Sequence, residues 1–177
     1  MDLEEITNFI TSTAEFLNIK KWDFGASFSN DFSVQVDKGL AKQLKASQKQ
    51  VLTLRVWNNK NLVGITTTSD LSENGLKKAL YQANLASDYG NKNELTDFSP
   101  LAKDPIKKIK ETKRSPAGIK KLLETLRIAE KKLLDKHSAI KTIPYNGLSE
   151  SFFKRIYANS DGAQRSYEKS QAAIYLY

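Results

Sequence analysis

The strongest constraint on this chain is a stretch from Phe32 to Leu71 in which apolar and polar residues alternate with a period of two until a helix-start signal interrupts them. Phe32, Val34 and Val36 alternate with Ser33, Gln35 and Asp37. Leu44 and Ala46 alternate with Gln43 and Lys45, and Leu52, Leu54 and Val56 with Thr53 and Arg55, before Val63 and Ile65 follow. Successive side chains on a strand point to opposite faces, so this spacing predicts three or four strands of an antiparallel meander with one dry face. The direction should reverse at Asp37-Lys38-Gly39 and at Asn58-Asn59-Lys60-Asn61, which supply residues that tolerate positive φ.

Helical spacing appears on either side. Leu3, Ile6, Ile10 and Leu17 form one stripe, widened by Phe9 and Phe16, which predicts a docking helix over 3–17. Trp22, Phe24, Ala26 and Phe28 then return to period two as an opening strand. Ser72 is a candidate N-cap, with Leu71 and Leu76 placed as a hydrophobic staple, and the helix that follows should run to about Tyr89. Its inner face is expected to be Leu76, Ala79, Leu80, Ala83 and Ala86, small enough for close approach to a sheet, with Gly90 and Asn91 ending it.

Residues 91–116 read as a basic connector carrying Pro100, Pro105 and Pro116 and the cluster Lys107, Lys108, Lys110, Lys113 and Arg114. A third helix is expected over 117–136, with Leu122, Leu126, Ala129 and Leu133 inward, Ile119, Leu123 and Leu134 at the margins, and the lysines outward beside Glu124, Glu130 and Asp135. Strands are then expected over 139–143, 149–158 and 163–177, with a turn at Asn159-Ser160-Asp161-Gly162. The fold class is α+β: a largely antiparallel sheet, made of the meander plus C-terminal strands, packed with about three helices. Three parts are expected: 1–90 with the first helix, the meander and the second helix; the connector 91–116; and 117–177, completing the same domain. Neither β region has enough helix cover to bury itself, so the two should share one sheet or stack closely. Ala173, Tyr175 and Tyr177 still alternate at the last residue, which leads us to expect a longer protein with a further C-terminal domain.

Composition excludes several classes of function. Hydrophobic residues make up 40% of 177, enough for a sizeable core. Cysteine is absent, which removes disulfide frameworks and thiolate metal sites and favours the cytoplasm. No apolar run is long enough for a membrane span, and the acidic Met1-Asp2-Leu3-Glu4-Glu5 is unlike a secretion signal, so no membrane partner is expected. The net charge is +8, but the segment Lys103–Lys136 holds 12 Lys/Arg against 5 Asp/Glu and so carries nearly all of it. That segment contains no aromatic residue to stack on bases and is interrupted by carboxylates, which makes nucleic acid the less favoured partner.

The run Ser33-Val34-Gln35-Val36-Asp37-Lys38-Gly39, then Leu54-Arg55-Val56-Trp57, then Gly64-Ile65-Thr66-Thr67-Thr68-Ser69-Asp70-Leu71-Ser72, resembles the N-terminal region of the TldD/PmbA family, as does the helix with Ala79, Ala83 and Ala86 that follows. Ala158-Asn159-Ser160-Asp161-Gly162 resembles the family's turn after its linker helix, and the Thr/Ser-rich Thr66–Ser72 is more similar to the PmbA branch, also called TldE, than to the TldD branch. The family often carries the label modulator of DNA gyrase. The resemblance implies a two-part polypeptide in which TldD-type members hold a zinc peptidase motif, His-Glu-x-x-x-His, in the downstream region, while TldE-type members lack it and serve as the partner subunit. It therefore implies a TldD-like or TldE-like subunit as partner in a homo- or heterodimer, a peptide or small-protein substrate, and zinc in the partner or the downstream region. No catalytic, metal or cofactor residue of the family falls on a position of this chain.

The residues themselves give the same reading. A zinc site needs three or four converging ligands, whereas this chain has one histidine, His137, placed where a cation suits the end of the third helix. Asp70 and Glu73 flank a helix start, where carboxylates are favourable. Trp22 and Trp57 read as sheet packing, while Tyr167, Tyr175 and Tyr177 could face a core or a partner. Gly25, Gly39, Gly64 and Gly75 do not form a phosphate loop, and no serine sits in a nucleophile elbow. Two functions remain: a non-catalytic N-terminal domain that contributes subunit assembly and a substrate-chamber wall to a zinc peptidase complex, or a nucleic-acid or gyrase-associated module using Lys103–Lys136.

Overall fold

The computed structural model describes residues 2–90, 97–106 and 116–177. The lysine cluster from Lys107 to Arg114, and Asn91 at the expected end of the second helix, lie outside the described residues. The elements are α1 (Leu3–Phe16), β1 (Lys21–Asp37), β2 (Leu40–Trp57), β3 (Val63–Thr68), α2 (Glu73–Ser87), α3 (Gly118–Leu134), β4 (Asn146–Asn159) and β5 (Gln164–Leu176). All five strands join one antiparallel sheet in the order β3-β2-β1-β4-β5. Among the described residues the fold is therefore α+β with three α-helices, and the two β regions share a sheet through the pairing of β1 with β4.

The expected meander has fewer and longer strands than the sequence suggests. The segments 22–28 and 32–36 are one continuous strand, as are 44–46 and 52–56. Only the two foreseen turns interrupt them. Lys38 and Gly39 both have positive φ, 48° and 77°, which is the backbone a two-residue hairpin needs to match strand twist. At the second turn Asn61 has φ 57°, and the Asn58 carboxamide oxygen accepts from the backbone N–H groups of Lys60 and Leu62 at 2.9 and 3.0 Å.

The chain divides into two compact units. The first comprises Met1–Ser27, Gln50–Ile109 and Lys154–Tyr167. Here β2 pairs with β3 from Leu52↔Thr68 to Trp57↔Val63, and α2 lies on the face that carries Leu52, Leu54, Val56 and Gly64. The approach is close enough that a Cβ on Gly64 would collide with the backbone of Ala83 and Ser87, which explains the small inner face of the helix. Gly64 rather than Ile65 must therefore face the helix. Ile65, expected on the dry face, is 57% exposed. Along α2, Ser87 takes the buried place expected for Ala86, and the Ser72 hydroxyl caps the helix by accepting from Gly75 N–H at 3.2 Å.

Helix α1, which contacts α2, begins with a capping box in which Asp2 and Glu5 each accept from the other's backbone N–H at 2.9 and 2.7 Å. Its buried residues are Ile6, Thr7, Ile10, Thr13 and Ala14; Phe16, expected to widen the stripe, is 81% exposed in the last turn. The described part of the connector, 97–106, is not a bare tether but docks on this unit. Phe98 meets Trp57 edge-on at 5.2 Å, Asp97 pairs with Lys21 at 2.6 Å, and Arg165 donates to the carbonyl of Asp104 at 2.8 Å.

The second unit comprises Phe28–Lys49, Lys110–Phe153 and Glu168–Tyr177. Leu122 and Leu126 of α3 form its core with Val34, Val36 and Leu148, and Phe32, Ile119, Leu123 and Leu176 surround it. Leu44 and Ala46, expected on the dry face, are exposed because the core under α3 is drawn from β1, β4 and β5 and not from this half of β2. Glu130, expected on the wet side of α3, is only 3% exposed, since the hairpin turn presents two N–H groups that it accepts, from Lys38 at 3.2 Å and Gly39 at 2.7 Å. The strand expected over 139–143 is absent: the His137–Ile140 turn and Pro144, which has no N–H, keep this stretch out of the sheet, and Ile143 alone is buried.

Candidate functional site

Two polar arrangements stand out, one in each unit. In the first unit, β1 places Asp23 and β2 places Arg55 on the sheet face away from α2, and the guanidinium grips the carboxylate with two hydrogen bonds, Nε at 2.8 Å and Nη2 on the other oxygen. Asp23 is buried. The Tyr157 hydroxyl donates to the same carboxylate at 3.3 Å, and the Asn159 amide donates to that hydroxyl at 3.3 Å. Hydrogen bonding to Asp23 holds the Arg55 guanidinium above its ordinary pKa against the opposing effect of burial. Burial pushes the Tyr157 phenol up, more than its hydrogen bond from Asn159 pulls it down. Among the described residues every buried side-chain nitrogen and oxygen has a partner, and this network ties β1, β2 and β4 together.

In the second unit, a cleft of about 320 Å³ opens between the end of β5 and the segment leading into β4. Tyr145 and Tyr177 exchange two backbone hydrogen bonds at 3.1 and 2.8 Å, and their rings stack at 5.6 Å. Tyr175 stands 5.9 Å from Tyr177, and its ring covers Gly147, where an added Cβ would come within 2.6 Å of it. Gln35 donates to the Tyr175 hydroxyl at 3.2 Å, and Lys42 completes the rim. The floor is fixed by Asn146, a buried side chain that imitates a strand: it accepts from Val36 N–H at 2.9 Å and donates to the carbonyls of Val36 and Ile143 at 2.9 and 3.0 Å. Aromatic faces beside an amine and a carboxamide can hold a polypeptide segment through stacking and hydrogen bonds, but they supply neither a nucleophile nor a general base.

The residues weighed in the sequence separate on this structure. Tyr175 and Tyr177 meet in the cleft, whereas Tyr167 belongs to the first unit. His137 is exposed in the turn after α3, where Nδ1 accepts from Ala139 N–H at 3.0 Å. Asp70 accepts from Ser72 N–H at 3.0 Å, and hydrogen bonding from Ser72 holds its carboxyl below the usual carboxylate range. Trp22 and Trp57 are both buried, the first stacked with Phe24 at 6.2 Å. Asn146 and Tyr145 escape sequence reasoning because they fall between the expected strands 139–143 and 149–158, and Glu130 because it is placed there on the wet side of the third helix. Among the described residues no group of three or more His, Cys, Asp or Glu side chains could hold a metal ion, so they do not fit a zinc site. No described helix is long and apolar enough to cross a membrane.

No protein-family profile and no curated protein matches the chain. Solved structures do. TldE from Thermococcus kodakarensis superposes with a TM-score of 0.76 at 19% identity, over 97% of this chain and 38% of that one. A proposed modulator of a DNA gyrase from Thermotoga maritima superposes with a TM-score of 0.75 at 14% identity, over 99% of this chain and 39% of that one. A second proposed gyrase modulator, from Bacteroides thetaiotaomicron, gives 0.72 at 12% identity, with 97% and 39% covered. At these identities the likeness is one of fold, and the chain spans about two fifths of each of these proteins. The fold is that of the family named from the sequence motifs.

Proposed function

We propose that this chain is the N-terminal region of a TldD/PmbA-type protein, closest in kind to the TldE branch, and that it contributes subunit assembly and part of a substrate-chamber wall to a zinc peptidase complex acting on peptides or small proteins. The observation that carries this reading is coverage. A TldE fold accounts for 97% of the chain, and the sequence runs that resemble the family lie on β1, β2, β3 and α2. The polar side chains of the described residues support a structural role, because the buried ones are spent on hydrogen bonds that fix turns and sheet. Zinc chemistry would belong to a partner subunit or a downstream region.

The test is purification of the tagged protein from its native host, followed by mass spectrometry, zinc analysis and hydrolysis of an unstructured peptide. The expected outcome is a stoichiometric partner carrying His-Glu-x-x-x-His, about one zinc per partner, and hydrolysis that stops when a chelator is added. A protein that purifies alone, without zinc or peptidase activity, and binds duplex DNA with a steep loss of affinity in salt would overturn it in favour of a gyrase-associated module.

A further inference from the structure

We infer that the outer edge of β2 from Leu40 to Lys49 is a docking site for an extended, acidic segment of another polypeptide, which adds to the sheet as a strand. The edge is open. In the sheet order, β2 has β1 on one side and β3 on the other, but β3 pairs only with Leu52–Trp57. The Gln50 carboxamide donates to the carbonyl of Ser69 at 2.9 Å just past the end of β3, and upstream of that point no described strand pairs with the edge of β2 that faces away from β1. Every second residue of such an edge turns its N–H and C=O outward with no strand to receive them, which is the geometry that β-strand addition uses.

Exposure argues in the same direction. Every residue from Leu40 to Lys49 is exposed, so both side-chain faces of this strand are open as well as its edge. Leu40 and Leu44 are 71% and 50% exposed, apolar surface that an added strand would cover with alternate side chains.

Charge selects the occupant. Lys42, Lys45 and Lys49 all lie on this edge, no carboxylate lies between Leu40 and Lys49, and none of the three lysines pairs with an acid among the described residues. Edge lysines prevent a sheet from extending into a second copy of itself, because a like edge would bring like charges together. The same three charges favour a strand that carries glutamate or aspartate. Lys42 also rims the tyrosine cleft, so a side chain of the added strand has an aromatic surface beside it. This inference stands on the edge alone and does not require the peptidase-complex reading.

The test is fluorescence anisotropy with the full chain and a labelled peptide in which glutamate alternates with valine and threonine, combined with hydrogen exchange. We expect the glutamate peptide to bind about tenfold or more tightly than the same peptide with lysine for glutamate, given what exposed ion pairs contribute. Binding should slow exchange at alternate amides of Leu40–Lys49. The variant carrying Lys42→Glu, Lys45→Glu and Lys49→Glu should invert the preference, and N-methylation of alternate peptide amides should abolish binding. Failure of the glutamate peptide to bind, unchanged binding by the charge-reversed variant, or indifference to N-methylation would overturn the proposal. Tighter binding of oligothymidylate than of the peptide would identify a nucleic-acid surface instead, and concentration-dependent protection of the same amides without peptide would identify a second copy.

Discussion

At the scale of single residues, the glycines of the first unit divide by what surrounds them. Gly64 has the backbone of α2 against it, whereas Gly25 has no atom within 4 Å of an added Cβ and an ordinary negative φ. Gly64→Ala should therefore lower the free energy of unfolding by about 1–3 kcal/mol or more through overpacking, while Gly25→Ala should be neutral or stabilising by up to about 1 kcal/mol through lost unfolded-state entropy. Urea denaturation of the two variants side by side decides this, and equal stabilities would refute the close approach of β3 and α2. Tyr157 supplies a pH dependence. Its native pKa is raised above the ordinary 10.0 by burial, so its contribution to stability is fully present below that value and is lost as pH rises through the higher native one. The urea midpoint should fall as pH is taken above 10.0, and Tyr157→Phe should flatten that part of the slope.

At the scale of elements, a helix and a turn depend on each other in the second unit. Glu130 on α3 is the acceptor for both N–H groups of the Lys38-Gly39 turn. Glu130→Ala strands those donors and should cost about 1–3 kcal/mol, with faster amide exchange at Lys38 and Gly39 as its local signature; loss of stability without that local change would count against the turn-capping role. This is also where sequence and structure part company. Leu122, Leu126 and their neighbours announce the inner face of α3 by spacing alone, and Gly39 and Asn61 of the two hairpin turns announce their positive φ by type, although Lys38 does not. Glu130 and Asn146 do not. A buried polar side chain is justified by a partner distant in sequence, Gly39 in one case and Val36 in the other, and no local pattern records such a partner. Leu44 and Ile65 mislead for a related reason: alternation says that two faces differ, but which face is covered depends on where a helix far along the chain comes to rest.

At the scale of the whole molecule, the class and the α-helices could be read from periodicity, because period two and period 3.6 are properties of the backbone, whereas periodicity leaves open whether the two β regions share one sheet or stack closely. The candidate site could be read only in part. Tyr175 and Tyr177 are visible together with Tyr167 as a terminal aromatic set facing a core or a partner, but their companion in the cleft, Tyr145, stands in a segment that the sequence reads as following a strand and that the structure leaves as loop. The composition of the two units could not be read at all. Each is assembled from three separated segments, and four of the five strands contribute residues to both. That interleaving bears on how the protein is made. The last segment of the first unit is Lys154–Tyr167 and that of the second is Glu168–Tyr177, so a ribosome releasing about 5–20 residues per second holds β1 without its neighbour β4 for on the order of ten seconds. Throughout that interval a nascent chain exposes Phe24, Val34 and Val36 before β4 can complete the sheet beside them, so its apolar strands are open to wrong partners for longer than in a chain whose units close in sequence order.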